Sequence, residues 1–395
     1  MPTLNDTPAG NRLHIGFFGR RNSGKSTLVN ALAGQKIAIV SDVAGTTTDP
    51  VYKAMELKGI GPVELIDTAG FDDEGELGGL RVRKTELAAE KTDIAVLLFS
   101  GTDTGTDLGW FDRFRQRKTP VLPVIANAVG DREALADAVE KAIGQKPLLL
   151  QKDDPKAAET LRRELVRLLP EGFELPSITA ALVSPGDTVM LVMPQDASAP
   201  KGRLILPQVQ TIRDLLDNRC TVIGCTPAGM EAALAALKNP PKLIITDSQA
   251  FGEVWKKKPE NSRLTSFSIL FAALKGDIDY YLEGAKLIPQ LNENSRVLIA
   301  ECCTHAPQSE DIGRVKIPKL LRKLAGEGIR IDVLGGTDFP EDLSPYALVI
   351  QCGACMFNRK YVLSRIARAK QQGVPMTNYG VFLAFANGIL DKISL

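Results

Sequence analysis

Long apolar runs, an excess of one charge, cysteine and histidine are all scarce in this 395-residue chain, and each shortage removes a class of function. No apolar run approaches the roughly 18 residues of a membrane-spanning helix, and the polar start, Met1 to Arg12, lacks the apolar core of a secretory signal. A soluble, cytoplasmic protein with no membrane partner is expected. Lys and Arg (48) nearly equal Asp and Glu (47), so the basic field that drives nucleic-acid affinity through counterion release is missing. A nucleic-acid partner is therefore not expected. Six cysteines are too few for a disulfide framework, and none precedes Cys220. The two histidines are His14, ahead of an apolar run and read as structural, and His305.

What is present begins with 44% hydrophobic residues, enough for two to three buried cores. Gly19-Arg-Arg-Asn22-Ser23-Gly24-Lys25-Ser26-Thr27 lies between the apolar run Ile15 to Phe18 and the helical pattern Leu28 to Leu32. It matches the phosphate-binding loop in full. Its glycines let backbone N–H groups face a β-phosphate, Lys25 supplies charge to the β and γ oxygens, and Ser26 is placed to ligate Mg2+. Downstream, the threonines of Ser41 to Pro50 read as a switch loop, with Thr47 chosen over Thr46 and Thr48 as the residue that closes on Mg2+ and the γ-phosphate. The strand from Val63 ends in Asp67-Thr-Ala-Gly70, where Asp67 would hold the metal through water and the Gly70 N–H would sense the γ-phosphate. This matches the third motif of translation-factor-related GTPases. Phe71 stands where Ras-like enzymes carry a water-orienting glutamine, so hydrolysis is expected to be slow or otherwise assisted. Asn22 occupies the position that helps hold K+ in potassium-activated GTPases, where the cation offsets charge developing at the β–γ bridge. The guanine reader Asn-Lys-x-Asp is degenerate: after the strand Val121 to Ile125 the chain reads Asn127-Ala-Val-Gly-Asp131. Asn127 and Asp131 are the candidates for base contact, against a reading as plain loop polar residues.

Residues 173–179 have the composition of a linker. Beyond it, strands at Thr188 to Met193, Thr221 to Gly224 and Leu243 to Ile245 alternate with helices at Gln208 to Asp217 and Ala228 to Leu237, which predicts a small parallel sheet. Cys220 and Cys225 read as buried apolar residues. From residue 265 the βα logic repeats, with a helix at Tyr281 to Leu291, strands at Val297 to Ala300, Ile331 to Leu334 and Ala347 to Ile350, and helices at Ile317 to Leu324 and Arg359 to Gln372. Two of these strands run into cysteines: Glu301-Cys302-Cys303-Thr-His305, and Gln351-Cys352-Gly-Ala-Cys355. Ligands of open α/β sheets sit outside the carboxyl ends of strands, so both groups are expected at one crevice. Cys303, Cys352 and Cys355 suit an iron–sulfur cluster with an open fourth position. Zinc on Cys303, His305, Cys352 and Cys355, a dithiol pair at Cys352 and Cys355, or unrelated buried cysteines are the other readings.

The combination of a potassium-type GTPase segment with Cys-x-His and Cys-x-x-Cys motifs resembles the FeFe-hydrogenase maturation GTPases, across essentially the full chain and including Leu206-Pro-Gln-Val-Gln-Thr-Ile-Arg-Asp214. The resemblance implies three consecutive α/β domains with mainly parallel sheets: a P-loop GTPase domain at 1–172, a small domain at 173–264 that pairs subunits as a homodimer, and a cluster domain at 265–395. It implies GTP, Mg2+, K+ and a 4Fe-4S cluster as ligands, with Cys303, Cys352 and Cys355 as cluster thiolates. Implied partners are two radical-SAM maturases and the apo-FeFe-hydrogenase, to which a diiron precursor is delivered. Where the family usually has His-Cys-x-x-Cys, this chain has Gln351, leaving His305 or Glu301 among the fourth-ligand candidates; Cys302 is extra to the motif. The other readings are a potassium-dependent GTPase of tRNA modification or ribosome assembly, and an iron–sulfur redox protein with a vestigial GTPase domain.

Overall fold

The computed structural model describes residues 7–34, 50–71, 76–101, 103–151, 156–169, 176–195, 204–302 and 311–395. The chain divides into two compact units, Met1–Glu174 and Leu175–Leu395.

In the first unit, strands β1 (Leu13–Gly19), β2 (Val51–Leu57), β3 (Gly61–Asp67), β4 (Ile94–Leu98), β5 (Val121–Ile125) and β6 (Leu148–Leu149) form one sheet in the order β2-β3-β1-β4-β5-β6. All neighbours are parallel except the β2–β3 hairpin. Every residue of β1 is buried, as a central parallel strand covered on both faces requires. Ile15 and Phe17 pack with Leu28 and Leu32 of the helix Lys25–Ala33 and with Leu161 and Leu165 of the helix Ala157–Arg167. Phe18 faces the other way, into Trp110 and Phe114 of the helix Gly105–Gln116. This period-two split of β1 fixes its register and points its carboxyl end at the phosphate loop.

The second unit holds two four-stranded parallel sheets. In the first, β7 (Thr188–Val192), β8 (Thr221–Cys225), β9 (Leu243–Thr246) and β10 (Arg263–Ser266) run in the order β10-β9-β7-β8. In the second, β11 (Arg296–Ala300), β12 (Arg330–Leu334), β13 (Leu348–Gln351) and β14 (Met376–Asn378) run in the order β12-β11-β13-β14. One apolar core reaches through both, from Val192 and Ile244 to Ile299 and Ile350.

The helix expected at Tyr281 to Leu291 instead spans Ile278–Ala285. Asp277 caps its start by accepting from the Tyr280 N–H. It packs so closely on β14 that a Cβ at Gly284 would lie 2.2 Å from the Met376 carbonyl oxygen. The helices Phe267–Lys275 and Tyr379–Ala386, with β10 and β14 before them, escape the sequence reading because both helices are buried nearly all round and so lack an amphipathic period.

Candidate functional site

β1 ends at Gly19, and the chain turns through 20–24 into the helix Lys25–Ala33. The turn needs unusual backbone: Asn22 and Gly24 have φ of 58° and 102°, and a Cβ at Gly19 would stand 2.7 Å from the Leu98 carbonyl oxygen. The buried Lys25 ammonium donates to the carbonyls of Gly19 (2.8 Å) and Arg20 (2.7 Å), and Asn127 Nδ2 donates to the Asn22 carbonyl (2.6 Å). From the other side, Arg20 is held by the Asp103 carbonyl (2.6 Å) and by Asp107 Oδ2 (3.2 Å). Asp107 is buried, and desolvation outweighs Arg20 enough to push its carboxyl up to about 6.

β3 lies parallel to β1 with Asp67 opposite Phe17, which brings the DTAG turn to the loop. Ser26 Oγ donates to Asp67 Oδ2 at 2.6 Å, and Thr68 Oγ1 to the Phe17 carbonyl at 2.6 Å. Burial pushes the Asp67 carboxyl up, opposed by the Ser26 hydrogen bond and the Lys25 charge. Asp67 Oδ1 and the Ser23 hydroxyl are buried without hydrogen-bond partners among the described residues. The Ser23 and Asp67 oxygens, a buried ammonium and the N-terminal turn of the helix Lys25–Ala33, which includes Ser26 and Thr27, form a set that fits a phosphate with its Mg2+.

Three further residues show what the spacing alone left open. Asp131 Oδ1 accepts from the N–H groups of Glu133 (3.0 Å) and Ala134 (3.1 Å), capping the helix Arg132–Ile143, while Asn127 braces the phosphate loop. Both readings of Asp131 and Asn127 as structural loop residues thus have contacts to name. Phe71 is buried and stacks on Trp110 with centroids 5.4 Å apart and planes at 20°, so its side chain belongs to the core. Gly70 is buried at the same turn. Thr47, with Thr46 and Thr48, lies outside the described residues. The Asp103 and Asp107 anchors of Arg20 carry no sequence signal, because they come from the distant helix Gly105–Gln116 and the turn before it.

At the second cluster, β11 and β13 are neighbours with Ala300 opposite Gln351. The Cys302 N–H donates to Cys352 Sγ at 3.1 Å, and the Cys352 N–H to the Ala300 carbonyl at 3.0 Å. Ala354, at φ 52°, also turns its N–H onto Cys352. Hydrogen bonding from Cys302 holds the Cys352 thiol down against burial, whereas burial drives Cys302 up. Cys302, extra to the sequence motif, is therefore in direct contact with a motif cysteine. Cys355 is half-buried. Gln351 is 1% exposed, and both ends of its amide have no hydrogen-bond partner among the described residues. Cys303 and His305 lie outside the described residues; among those described, no group of three or more His, Cys, Asp or Glu is arranged to hold a metal. Cys220 is buried and Cys225 half-buried, with both thiols pushed up by burial, and neither joins this cluster. His14 is buried in β1 with its Nε2 3.1 Å from Glu64 Oε2, a structural contact. Among the described residues no helix is long and apolar enough to cross a membrane.

Residues 14–127 match the family model described as 50S ribosome-binding GTPase. The GTPase Der of Wolinella succinogenes is 40% identical over 114 residues, 27% of this chain and 24% of that protein. The tRNA modification GTPase MnmE of Laribacter hongkongensis is 40% identical over 108 residues, 27% of this chain and 24% of that protein. The chain thus spans about a quarter of the length of these relatives. Among solved structures, Era in complex with MgGDPNP and 16S ribosomal RNA aligns with 54% of this chain and 93% of its own, at 19% identity and a TM-score of 0.35. The first unit is a P-loop GTPase domain. Residues 178–276 match the hydrogen maturase F dimerization domain and 279–394 the hydrogen maturase F tetramerization domain, together more than half of the chain. The chain belongs to the hydrogen maturase F type of GTPases, and its two domains named for dimerization and tetramerization support oligomerisation.

Proposed function

We propose that this protein is a GTP-hydrolysing scaffold and carrier for maturation of the FeFe-hydrogenase active site. It would hold a 4Fe-4S cluster on Cys303, Cys352 and Cys355, receive a diiron precursor made with two radical-SAM maturases, and transfer it to the apo-hydrogenase. The domain plan is a GTPase domain at 1–172, a subunit-pairing domain at 173–264 and a cluster domain at 265–395. The carrying observation is the joining of two hydrogen maturase F domains to a GTPase unit, with two cysteine-bearing strand ends side by side in the second of them.

In the first unit, Lys25 would leave the Gly19 and Arg20 carbonyls for the β and γ oxygens, neutralising the charge that grows there during transfer. Gly19, Ser23, Gly24 and Thr27 shape or supply the loop's N–H cradle. Ser26 and Thr47 would ligate Mg2+, Asp67 would hold it through water, and the Gly70 N–H would read the γ-phosphate. With Phe71 locked against Trp110, no side chain at that position orients the attacking water. A K+ ion beside Asn22 would supply the missing positive charge, so hydrolysis is slow and potassium-stimulated. Asn127 and Asp131 remain the positions nearest to a guanine reader.

In the second unit, the thiol of Cys352, already accepting backbone N–H groups, suits a thiolate-held group, as does the unsatisfied amide of Gln351 next to it. When bound, the cluster supplies a one-electron centre with an open iron position. Hydrolysis in the first unit gates precursor exchange at the second.

The test is anaerobic reconstitution with iron and sulfide, followed by EPR of the reduced wild type beside Cys303→Ala. A 4Fe-4S signal lost in the variant is expected. Zinc bound instead, with no cluster in either protein, would overturn the reading. In parallel, Lys25→Ala should fail to mature the hydrogenase; normal maturation would remove the gating role.

A further inference from the structure

The helix Gly105–Gln116 reaches into the phosphate loop through one carboxylate. Asp107, in its first turn, is fully buried; its Oδ2 accepts from Arg20 Nε at 3.2 Å, while Oδ1 has no hydrogen-bond partner among the described residues. Asp103, in the turn before, offers Arg20 its carbonyl (2.6 Å) and its Oδ2 (3.3 Å), but its side chain is 82% exposed and its Oδ1 accepts from the Gly105 N–H. Solvent screens that pair, so the charged hold on the guanidinium rests on Asp107. One turn on, Trp110 stacks on Phe18 of β1, with centroids 5.9 Å apart, and on Phe71 after the DTAG turn. The helix is thereby fixed against both segments that meet the phosphates.

An ion pair this deep needs a reason other than stability, because desolvating a carboxylate offsets most of the attraction it gains, the more so when one oxygen is idle. What the pair fixes is Arg20. The Arg20 carbonyl accepts the Lys25 ammonium at 2.7 Å and the Ser23 N–H at 3.4 Å, so it shapes the turn of the loop and is also where Lys25 stands. A guanidinium clamped at its far end leaves the Arg20 backbone little freedom, and the ammonium inherits that precision. The charged groups that face Asp107 are Arg20 from the phosphate loop and Asp103 from the turn before its own helix. Burial outweighs Arg20 and pushes the Asp107 carboxyl up to about 6. The clamp is therefore charged above neutral pH and is released as the pH falls through about 6.

We propose that Asp107, acting through Arg20, is a positioning residue for GTP hydrolysis: it fixes the loop carbonyl on which Lys25 stands, and turnover needs its ionised form. This rests on the GTPase reading above. Lys25 matters most where negative charge grows on the β–γ bridge, so an ammonium that wanders lowers turnover more than it weakens nucleotide binding.

The experiment is phosphate release from GTP by the full chain, from mildly acid to mildly alkaline pH, with kcat and KM separated and circular dichroism at every pH. The proteins are the wild type, Asp107→Asn, and the apolar pair Arg20→Met with Asp107→Leu. The apolar pair strands no charge in the core, so it tests the proposal even where Asp107→Asn fails to fold. Above neutral pH, kcat should be about tenfold lower in both variants, with KM moving less than about threefold. Wild-type kcat should fall below about pH 6 to the level of Asp107→Asn, whose own profile lacks that step. A folded variant of either kind with wild-type kcat overturns the proposal, as does the same acid step in the wild type and both variants. A wild type that releases no phosphate at any pH would sink the GTPase reading and the proposal with it, a result distinct from a wild-type rate that the variants leave unmoved.

Discussion

The phosphate loop and the cysteine pair both lie past the carboxyl ends of parallel strands, yet they handle charge in opposite ways. At the phosphate loop one ammonium, Lys25, is satisfied by carbonyls of its own loop, and the buried side-chain atoms without partners among the described residues are oxygens, Ser23 Oγ and Asp67 Oδ1. In the cysteine domain the buried side-chain atoms without partners among the described residues are guanidinium nitrogens of Arg365 and the amide of Gln351. The first site is built from one contiguous loop and a neighbouring strand end. The second draws on β11, β13 and two helices that precede and follow them in sequence. A ligand that brings its own anionic oxygens needs a short cradle with one cation, whereas a site lined by thiols draws its polar company from several elements of the sheet and its helices.

That contrast can be broken or sharpened by experiment. The largest effect is expected for Lys25→Ala, with GTP hydrolysis falling about 100-fold or more, the scale seen when one charge-stabilising donor is removed from a transfer site. Phosphate release measures it, and cluster content should stay at wild type; a parallel loss of iron would mean the two sites are not built independently. Next, Cys352→Ala should abolish the EPR signal of the reconstituted protein and leave hydrolysis unchanged, because this thiol accepts the N–H groups that order the site.

A smaller change is expected on replacing K+ by Na+, a severalfold fall in turnover with Asn22 intact and none in Asn22→Ala; equal rates in the two salts for the wild type would remove the cation from the mechanism. The smallest concerns Asp131→Ala. Its Oδ1 caps the helix Arg132–Ile143, so unfolding in urea should show a loss of about 1 kcal/mol, typical of an N-cap. Preference for GTP over ATP should survive; a collapse of that preference would make Asp131 a base reader after all.

Much of the first site was legible because its chemistry is local. Gly19 to Thr27 and Asp67 to Gly70 carry their roles in spacing, and the strand Val121 to Ile125 appears with the bounds read from its apolar run. Asp131 was ambiguous because a cap and a base contact call for the same side chain, and only the hydrogen bonds to Glu133 and Ala134 give it an occupation. The second site was legible in its cysteines but not in their company. Cys302 looked superfluous until the β11–β13 pairing brought its N–H to Cys352 Sγ. Lys275 ends a helix too apolar to show a period, and Arg365 reads as one basic residue among several on the helix Arg359–Gln371.

The sequence by itself determined the phosphate loop, the DTAG turn, the absence of a glutamine after it and the presence of two cysteine groups after apolar strands, since each depends on residues within a few positions of one another. Tertiary structure decided that Phe71 is spent on Trp110, that Asn127 braces Asn22, that Cys302 touches Cys352, and that Lys275 ties down the chain around Cys355. The reason is physical: a hydrogen bond between residues 105 apart, or a lysine reaching carbonyls some 80 residues away, exists only once parallel strand order and helix packing have closed the intervening chain.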